Sequence, residues 1–149
     1  MLLSKLEELR YEEWDAMIST NLKGMLYGIG AALPYFIARK EGHFINISSL
    51  SGHRVDPTSA IYSATKYAVR ALSEGLRQEI KPYNIRTTII SPGIIQSELT
   101  QAITDAYSIE MVKGMESFAI STNAVAYAIS QPQDVDISEM IIRPTSQPY

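Results

Sequence analysis

At 149 residues with a net charge of −3, and with lysine and arginine scattered along its length, the chain lacks the electrostatic footprint of a nucleic-acid binder. Apolar residues at 46% and charged residues at 19% describe one globular domain that can bury a core, not a disordered segment. The absence of cysteine excludes a disulfide framework and a thiolate metal site, and it fits a cytoplasmic protein.

In chain order, Met1-Leu2-Leu3 is followed so soon by Lys5, Glu7, Glu8 and Arg10 that no signal-peptide apolar core is expected. Ser4 is expected to cap a short turn bearing Leu6 and Leu9. Residues 11–20 carry Trp14, Met17 and Ile18 at helical spacing, and residues 21–40 form a longer helical pattern through Leu22, Met25, Ile29, Leu33, Phe36 and Ile37. Gly24, Gly28 and Gly30 lower helix propensity there, which predicts close packing against another backbone. The weakly polar run 28–38 is too short to span a bilayer and contains Pro34. Glu41-Gly42 is expected to end the helix.

Residues 43–49 read as a strand, with Phe44-Ile45-Asn46-Ile47 apolar enough to predict burial on both faces of a parallel sheet. A polar loop through Gly52, His53, Arg54, Asp56 and Pro57 leads to a helix capped by Thr58 or Ser59 and stopped by Pro82. Ala60, Ala64, Ala68 and Ala71 give that helix a smooth face. Residues 85–91 form a second buried strand closed by Pro92-Gly93. Residues 97–112 are expected to be helical in parts and to flank a site as a lid or substrate-binding segment. Residues 119–130 read as a helix with Thr122 or Asn123 near its start, and residues 139–143 as a final strand before Pro144. Strand, helix, strand, helix, strand is an α/β pattern, whose ligand sites lie beyond the carboxyl ends of parallel strands.

Ser49 ends the first strand, and Tyr62 and Lys66 lie one helical turn apart on the following helix. A phenol ordinarily ionises near pH 10. A neighbouring ammonium is expected to lower that value and fit the phenol for acid–base work, while the serine hydroxyl donates to a carbonyl oxygen. Tyr-x-x-x-Lys alone is a weak signal in a chain with nine tyrosines. The strand-end serines before it and the strand ending in Ser91-Pro92-Gly93 after it make the ordered combination strong. His43 and His53 have no partners at metal-ligand spacing and read as surface or loop histidines. Asp134, Asp136 and Glu139 read as a solvated acidic loop.

Ile45-Asn46-Ile47-Ser48-Ser49, Tyr62-Ser63-Ala64-Thr65-Lys66 and Ser91-Pro92-Gly93-Ile94-Ile95-Gln96-Ser97 resemble the second half of a short-chain dehydrogenase/reductase. Ser49 stands thirteen positions before Tyr62, the family's spacing, and Asn21 in Thr20-Asn21-Leu22-Lys23-Gly24 matches a fourth catalytic position. The resemblance implies Asn21, Ser49, Tyr62 and Lys66 as the catalytic set. It implies Asn21 holding a water that links Lys66 to solvent, and Tyr62, Lys66, Pro92, Gly93, Ile95 and Ser97 toward an NADP or NAD nicotinamide end. It implies a small alcohol or carbonyl substrate, no nucleic acid, membrane or metal, and a homo-oligomer in the intact parent.

The fold so implied is α/β: the C-terminal part of a Rossmann-like, doubly wound parallel sheet, about three strands in a single partial domain over residues 1–149. No Gly-x-x-x-Gly-x-Gly turn follows a strand here, and the family's Asn-Asn-Ala-Gly turn is not seen. The chain thus reads as roughly the last three fifths of a domain of about 250 residues. It is expected to be an N-terminally truncated oxidoreductase inactive alone, the alternative being a non-catalytic fragment acting through protein association.

Overall fold

The computed structural model describes residues 1–116 and 122–147. Three parallel strands, β1 (Gly42–Ile47), β2 (Ile85–Pro92) and β3 (Glu139–Ile142), lie side by side in that order. Gly42 through Ile47 pair with Ile85 through Ile90, and Ile89 through Pro92 pair with Glu139 through Ile142. Five α-helices accompany the sheet among the described residues: α1 (Tyr11–Ile18), α2 (Gly24–Arg39), α3 (Ala60–Ile80), α4 (Ala106–Glu116) and α5 (Ala124–Ser130). The expected three-stranded α/β architecture is present.

Strand β2 is central and buried at every position but Arg86, as its run Ile85-Arg86-Thr87-Thr88-Ile89-Ile90-Ser91 suggests. Strand β1 departs from the expectation of two buried faces. It is an edge strand in which only Phe44 is buried, and Ile47 is 46% exposed. Helix α3 explains most of the packing: Tyr62, Thr65, Val69, Ser73, Leu76 and Ile80 are buried and recur at three and four residues, one stripe along the helix. Leu76 and Ile80 meet Phe44 and Ile85, with Ile29, Leu33, Phe36 and Ile37 of α2 on the same cluster. The Phe36 and Phe44 rings stack edge to face at 5.0 Å. Gly42 has no side chain because a Cβ there would occupy the Phe36 ring.

Other boundaries differ from the sequence reading in instructive ways. Helices α1 and α2 do not break at Asn21; a π-helical turn over Ser19–Lys23 joins them. Helix α2 runs to Arg39 and is capped by Lys40, in the left-handed region at φ 51°, just ahead of Glu41-Gly42, close to the expected end. Ser4 caps nothing: the 3₁₀ turn Leu6–Glu8 starts after Lys5, while Ser4 is buried and its N–H donates to the Thr58 carbonyl at 3.1 Å. Helix α3 stops at Ile80 beside Pro82 as expected, and Asn84 closes the turn at φ 55°. The 97–112 segment divides into a 3₁₀ turn over Glu98–Ala102 and α4. Helix α5 begins at Ala124, whose N–H donates to the Thr122 hydroxyl at 3.2 Å; positions 119–121 of the expected helix lie outside the described residues.

The glycines of α2 also contradict their expectation. A Cβ at Gly28 or Gly30 would meet nothing within 4 Å, and one at Gly24 only the Ser19 carbonyl at 3.8 Å. They therefore carry the propensity cost of glycine without a packing gain in this chain. Gly30→Ala is expected to stabilise the protein by about 0.5–1 kcal/mol in urea unfolding. A loss instead would mean that this helix face meets another chain in solution.

Candidate active site

Ser48 and Ser49 leave the end of β1 with different duties. Ser48 is buried, and its hydroxyl donates to the Lys66 carbonyl of α3 at 3.0 Å. Ser49 caps the following 3₁₀ turn, Leu50–Gly52, its Oγ accepting from the Ser51 N–H at 3.1 Å. That hydroxyl also reaches the Pro92 carbonyl at 3.5 Å, and it lies close enough to the Tyr62 phenol to favour the ionised form of that phenol. Ser49, not Ser48, therefore faces the tyrosine.

Tyr62 sits in the first turn of α3 and is 6% exposed, packed with Leu3, Met17, Ile103 and Val112. Burial pushes the phenol above its ordinary value, and the Ser49 hydrogen bond opposes that rise without cancelling it. The expectation that Lys66 acidifies the phenol is not met. The Lys66 ammonium lies 5.6 Å from the Tyr62 ring centroid, donates to the Ile47 carbonyl at 3.0 Å, and is itself pushed down by burial. Desolvation acts on both groups and favours the neutral form of each.

Asn21 lies in the π turn, and its Nδ2 donates to the Thr65 hydroxyl at 3.0 Å. Thr65 in turn donates to the Tyr62 carbonyl at 2.7 Å. The asparagine is thus fastened to α3 between Tyr62 and Lys66. Pro92 and Gly93 end β2: Gly93 N–H donates to the Ile142 carbonyl at 2.7 Å, and Ile94 N–H to Gln147 Oε1 at 3.3 Å. Ser97 accepts from Leu99 N–H at 3.4 Å and caps the next turn.

A cavity of about 590 Å³ opens between these elements. Ser49, Tyr62, Gly93, Ile95 and Ser97 line it, with Leu3, Leu50, Met111 and Val112 supplying much of its apolar wall. Lys66, Pro92 and Asn21 do not line it. Lys66 stands behind Tyr62, Pro92 contributes the carbonyl that Ser49 reaches, and Asn21 borders a separate groove of about 360 Å³ between α2 and β1. The described residues contain no group of three or more side chains suited to a metal ion. None of their helices is long and apolar enough to cross a membrane.

Sequence reading missed a polar cluster behind the cavity. His53 Nε2 stands 2.8 Å from Glu139 Oε1 and 3.1 Å from Ser91 Oγ, and Arg70 forks onto both Glu139 oxygens at 3.2 and 3.3 Å. His53 lies in a turn and Glu139 opens the expected final strand, but neither is freely solvated: their side chains are 22% and 24% exposed. Asp136 is likewise engaged, accepting from the Thr87 N–H at 3.2 Å. His43 lies in the expected strand, where its ring nitrogen meets the Thr88 hydroxyl at 2.8 Å. The one available signal was Arg70 standing four residues beyond Lys66, on the same helix face.

Residues 2–108 match the family model described as short chain dehydrogenase. An uncharacterized oxidoreductase of Staphylococcus saprophyticus is 50% identical over 150 residues, covering 97% of this chain and 61% of that protein. Among solved structures, the closed form of serine dehydrogenase complexed with NADP+ superposes with a TM-score of 0.86 at 28% identity, over 99% of this chain and 62% of that one. Serine dehydrogenase from Escherichia coli gives 0.78 at 30% identity, over 99% and 60%. The chain therefore spans about three fifths of the length of the relatives it matches.

The raised phenol gives a signed expectation. Folding favours neutral Tyr62, so its contribution to stability is intact below the ordinary value of 10.0 and is lost as pH rises through the raised one. Ser49→Ala removes the hydrogen bond that opposes the rise and is expected to move the Tyr62 midpoint further up, as read by carbon NMR of the tyrosine ring. An unmoved midpoint would show that the two side chains are not coupled.

Proposed function

The chain belongs to the short-chain dehydrogenase family, and from that premise we propose that its site serves an NAD(P)-dependent oxidoreductase acting on a small alcohol or carbonyl compound. The observation that carries this reading is the meeting of the Ser49 hydroxyl and the buried Tyr62 phenol on one cavity. The residues present fit the nicotinamide end of such a cofactor. The phenol and hydroxyl stand at one side of the cavity, and the backbone from Gly93 to Ser97 borders it. The bound nicotinamide supplies hydride acceptance or donation.

For an alcohol substrate, Ser49 holds the oxygen while Tyr62 takes its proton; for a carbonyl, Tyr62 returns that proton as the oxygen gains charge. The buried phenol is protonated around neutrality and so holds the proton the carbonyl direction needs, while its raised value makes it a weaker acid than a phenol in water. Lys66, one turn behind, would offer its ammonium to the ribose hydroxyls of a bound cofactor, and Asn21 fixes the helix turn that carries both residues through Thr65. The solved relative in complex with NADP+ supports the cofactor class.

Residues 1–149 make up one partial domain in this reading, with the adenosine end of the cofactor bound weakly by these residues alone. Titration of the purified chain with NADPH and NADH is expected to show no micromolar affinity and negligible turnover. Micromolar binding with turnover would refute that part. A second reading, association with another copy or another protein, is favoured by α2, which has no buried residue and exposes Leu26, Tyr27 and Tyr35. Solution mass distinguishes a self-associating chain from a 16.6 kDa monomer.

Within a chain of the relatives' full length, Tyr62→Phe is expected to reduce turnover by about 10²–10⁴-fold while leaving cofactor affinity nearly unchanged. Steady-state kinetics beside a cofactor titration measures both. Retained turnover would move proton transfer to another group.

A further inference from the structure

The His53, Arg70, Ser91 and Glu139 cluster touches neither the cavity nor Tyr62, yet its four members come from the elements that build the site. His53 follows the Leu50–Gly52 turn that Ser49 caps; Arg70 lies one turn beyond Lys66 on α3; Ser91 precedes Pro92-Gly93; Glu139 opens β3. Glu139 is the common partner. Its Oε1 receives the Ser91 hydroxyl at 2.9 Å, His53 at 2.8 Å and Arg70 Nε at 3.2 Å, and its Oε2 receives Arg70 Nη2 at 3.3 Å. The remaining arm of Arg70, Nη1, donates to the Gly52 carbonyl at 2.9 Å.

We propose that Glu139 is a positioning residue for the candidate site, its carboxylate locking the Leu50–Gly52 turn and the end of β2 to α3 so that the Ser49 hydroxyl is held against Tyr62. Three features support this role. A planar guanidinium that bonds a carboxylate through two nitrogens has its third direction fixed, and here that direction is the Gly52 carbonyl. Gly52 is pressed into place: a Cβ would stand 2.5 Å from Ser48 Oγ and 3.0 Å from the Lys66 carbonyl, so the turn has no slack toward α3. Burial alone would push the Glu139 carboxyl up. The hydrogen bonds from Arg70 and Ser91, then the charges of Arg70 and His53, outweigh burial and hold it below its ordinary value, so it stays charged around neutrality.

The inference deepens the oxidoreductase reading and depends on it for the meaning of Ser49, but its test needs no turnover. Amide hydrogen exchange of the 149-residue chain is compared with that of Glu139→Gln, which keeps the shape and loses the charge. The informative amides are those of Gly52, His53 and Gly93, which donate to Ser49, Leu50 and Ile142. Roughly tenfold lower protection is expected at these positions, the scale of one charge-assisted hydrogen bond, with the amides of residues 72–80 in α3 unchanged. The ring-carbon shift of Tyr62 is expected to move in the direction that Ser49→Ala produces.

Unchanged exchange at the turn would overturn the proposal. Uniform loss over the whole chain would also overturn it, since that is what a merely stabilising contact produces. Arg70→Lys keeps the charge but not the fork, and is expected to lose protection at the same amides; wild-type protection there would overturn the proposal. If Glu139→Gln does not fold, Arg70→Lys carries the test. Local loss in a chain with no activity at any length would sink the oxidoreductase reading alone, whereas unchanged exchange in an active one would sink this inference alone.

Discussion

The site depends on how α3 is held to the carboxyl end of β1. Three polar links do this within a few residues: Ser48 Oγ to the Lys66 carbonyl, Lys66 Nζ to the Ile47 carbonyl, and Asn46 Nδ2 to Ser73 Oγ at 2.9 Å. Apolar contact alone would let a helix slide along a sheet, because burial is insensitive to direction. A side-chain hydrogen bond is lost on displacement of about an ångström, and a buried group left without a partner costs about 1–3 kcal/mol. Small hydroxyls are therefore concentrated here: Ser63, Thr65 and Ser73 on α3, with Thr87, Thr88 and Ser91 on β2, are all buried. They occupy little volume and fix the register between helix and strands.

That tight seat has an electrostatic consequence. The packing that orients Tyr62 and Lys66 also strips water from both, raising the phenol and lowering the ammonium. A tyrosine and a lysine one turn apart do not by themselves make an acidic phenol, because the ammonium must aim at the oxygen and remain well charged. Here it aims at a strand-end carbonyl on an exposed edge. Ser49 is the group whose hydrogen bond draws the phenol back toward its ordinary range, so in this chain the hydroxyl at the strand end shapes the acid–base character of the tyrosine. Whatever fixes Ser49 therefore acts on Tyr62.

The parts of this arrangement that were legible in sequence share one property: they follow from local periodicity or from ordered motifs. Strand β2 announced itself by an uninterrupted run of β-formers, α3 by its stripe from Tyr62 to Ile80, and the serine–tyrosine pairing by motif order. What escaped was non-local. Edge or centre cannot be read from Phe44-Ile45-Asn46-Ile47, because burial of the second face of a strand depends on which elements lie across it. The glycines of α2 suggested a close neighbour, and only the arrangement of the other elements shows open space beside them. His53 and Glu139 lie 86 positions apart, and nothing local pairs a loop histidine with the first residue of a strand until β3 is placed beside β2.

The distribution of buried surface bears on what such a chain can do. Strand β2, α3 and the start of β3 are sewn together by buried hydroxyls and the Glu139 cluster, so their geometry is the firmest among the described residues. Helix α2 touches the core along one side through Ile29, Leu33 and Phe36, yet no residue of it is fully buried, and β1 leaves one edge without a ladder partner among the described residues. Stability should therefore fall from β2 outward, with α2 opening before the seat of α3 on β1 is disturbed. The Ser49, Tyr62 and Gly93 side of the cavity belongs to the firm part, and Asn21, at the junction of α1 and α2, belongs to the soft part. Its hydrogen bond to Thr65 is the one side-chain bond described between that junction and α3, which makes Asn21 the point where motion of the outer helices would first be felt at the tyrosine.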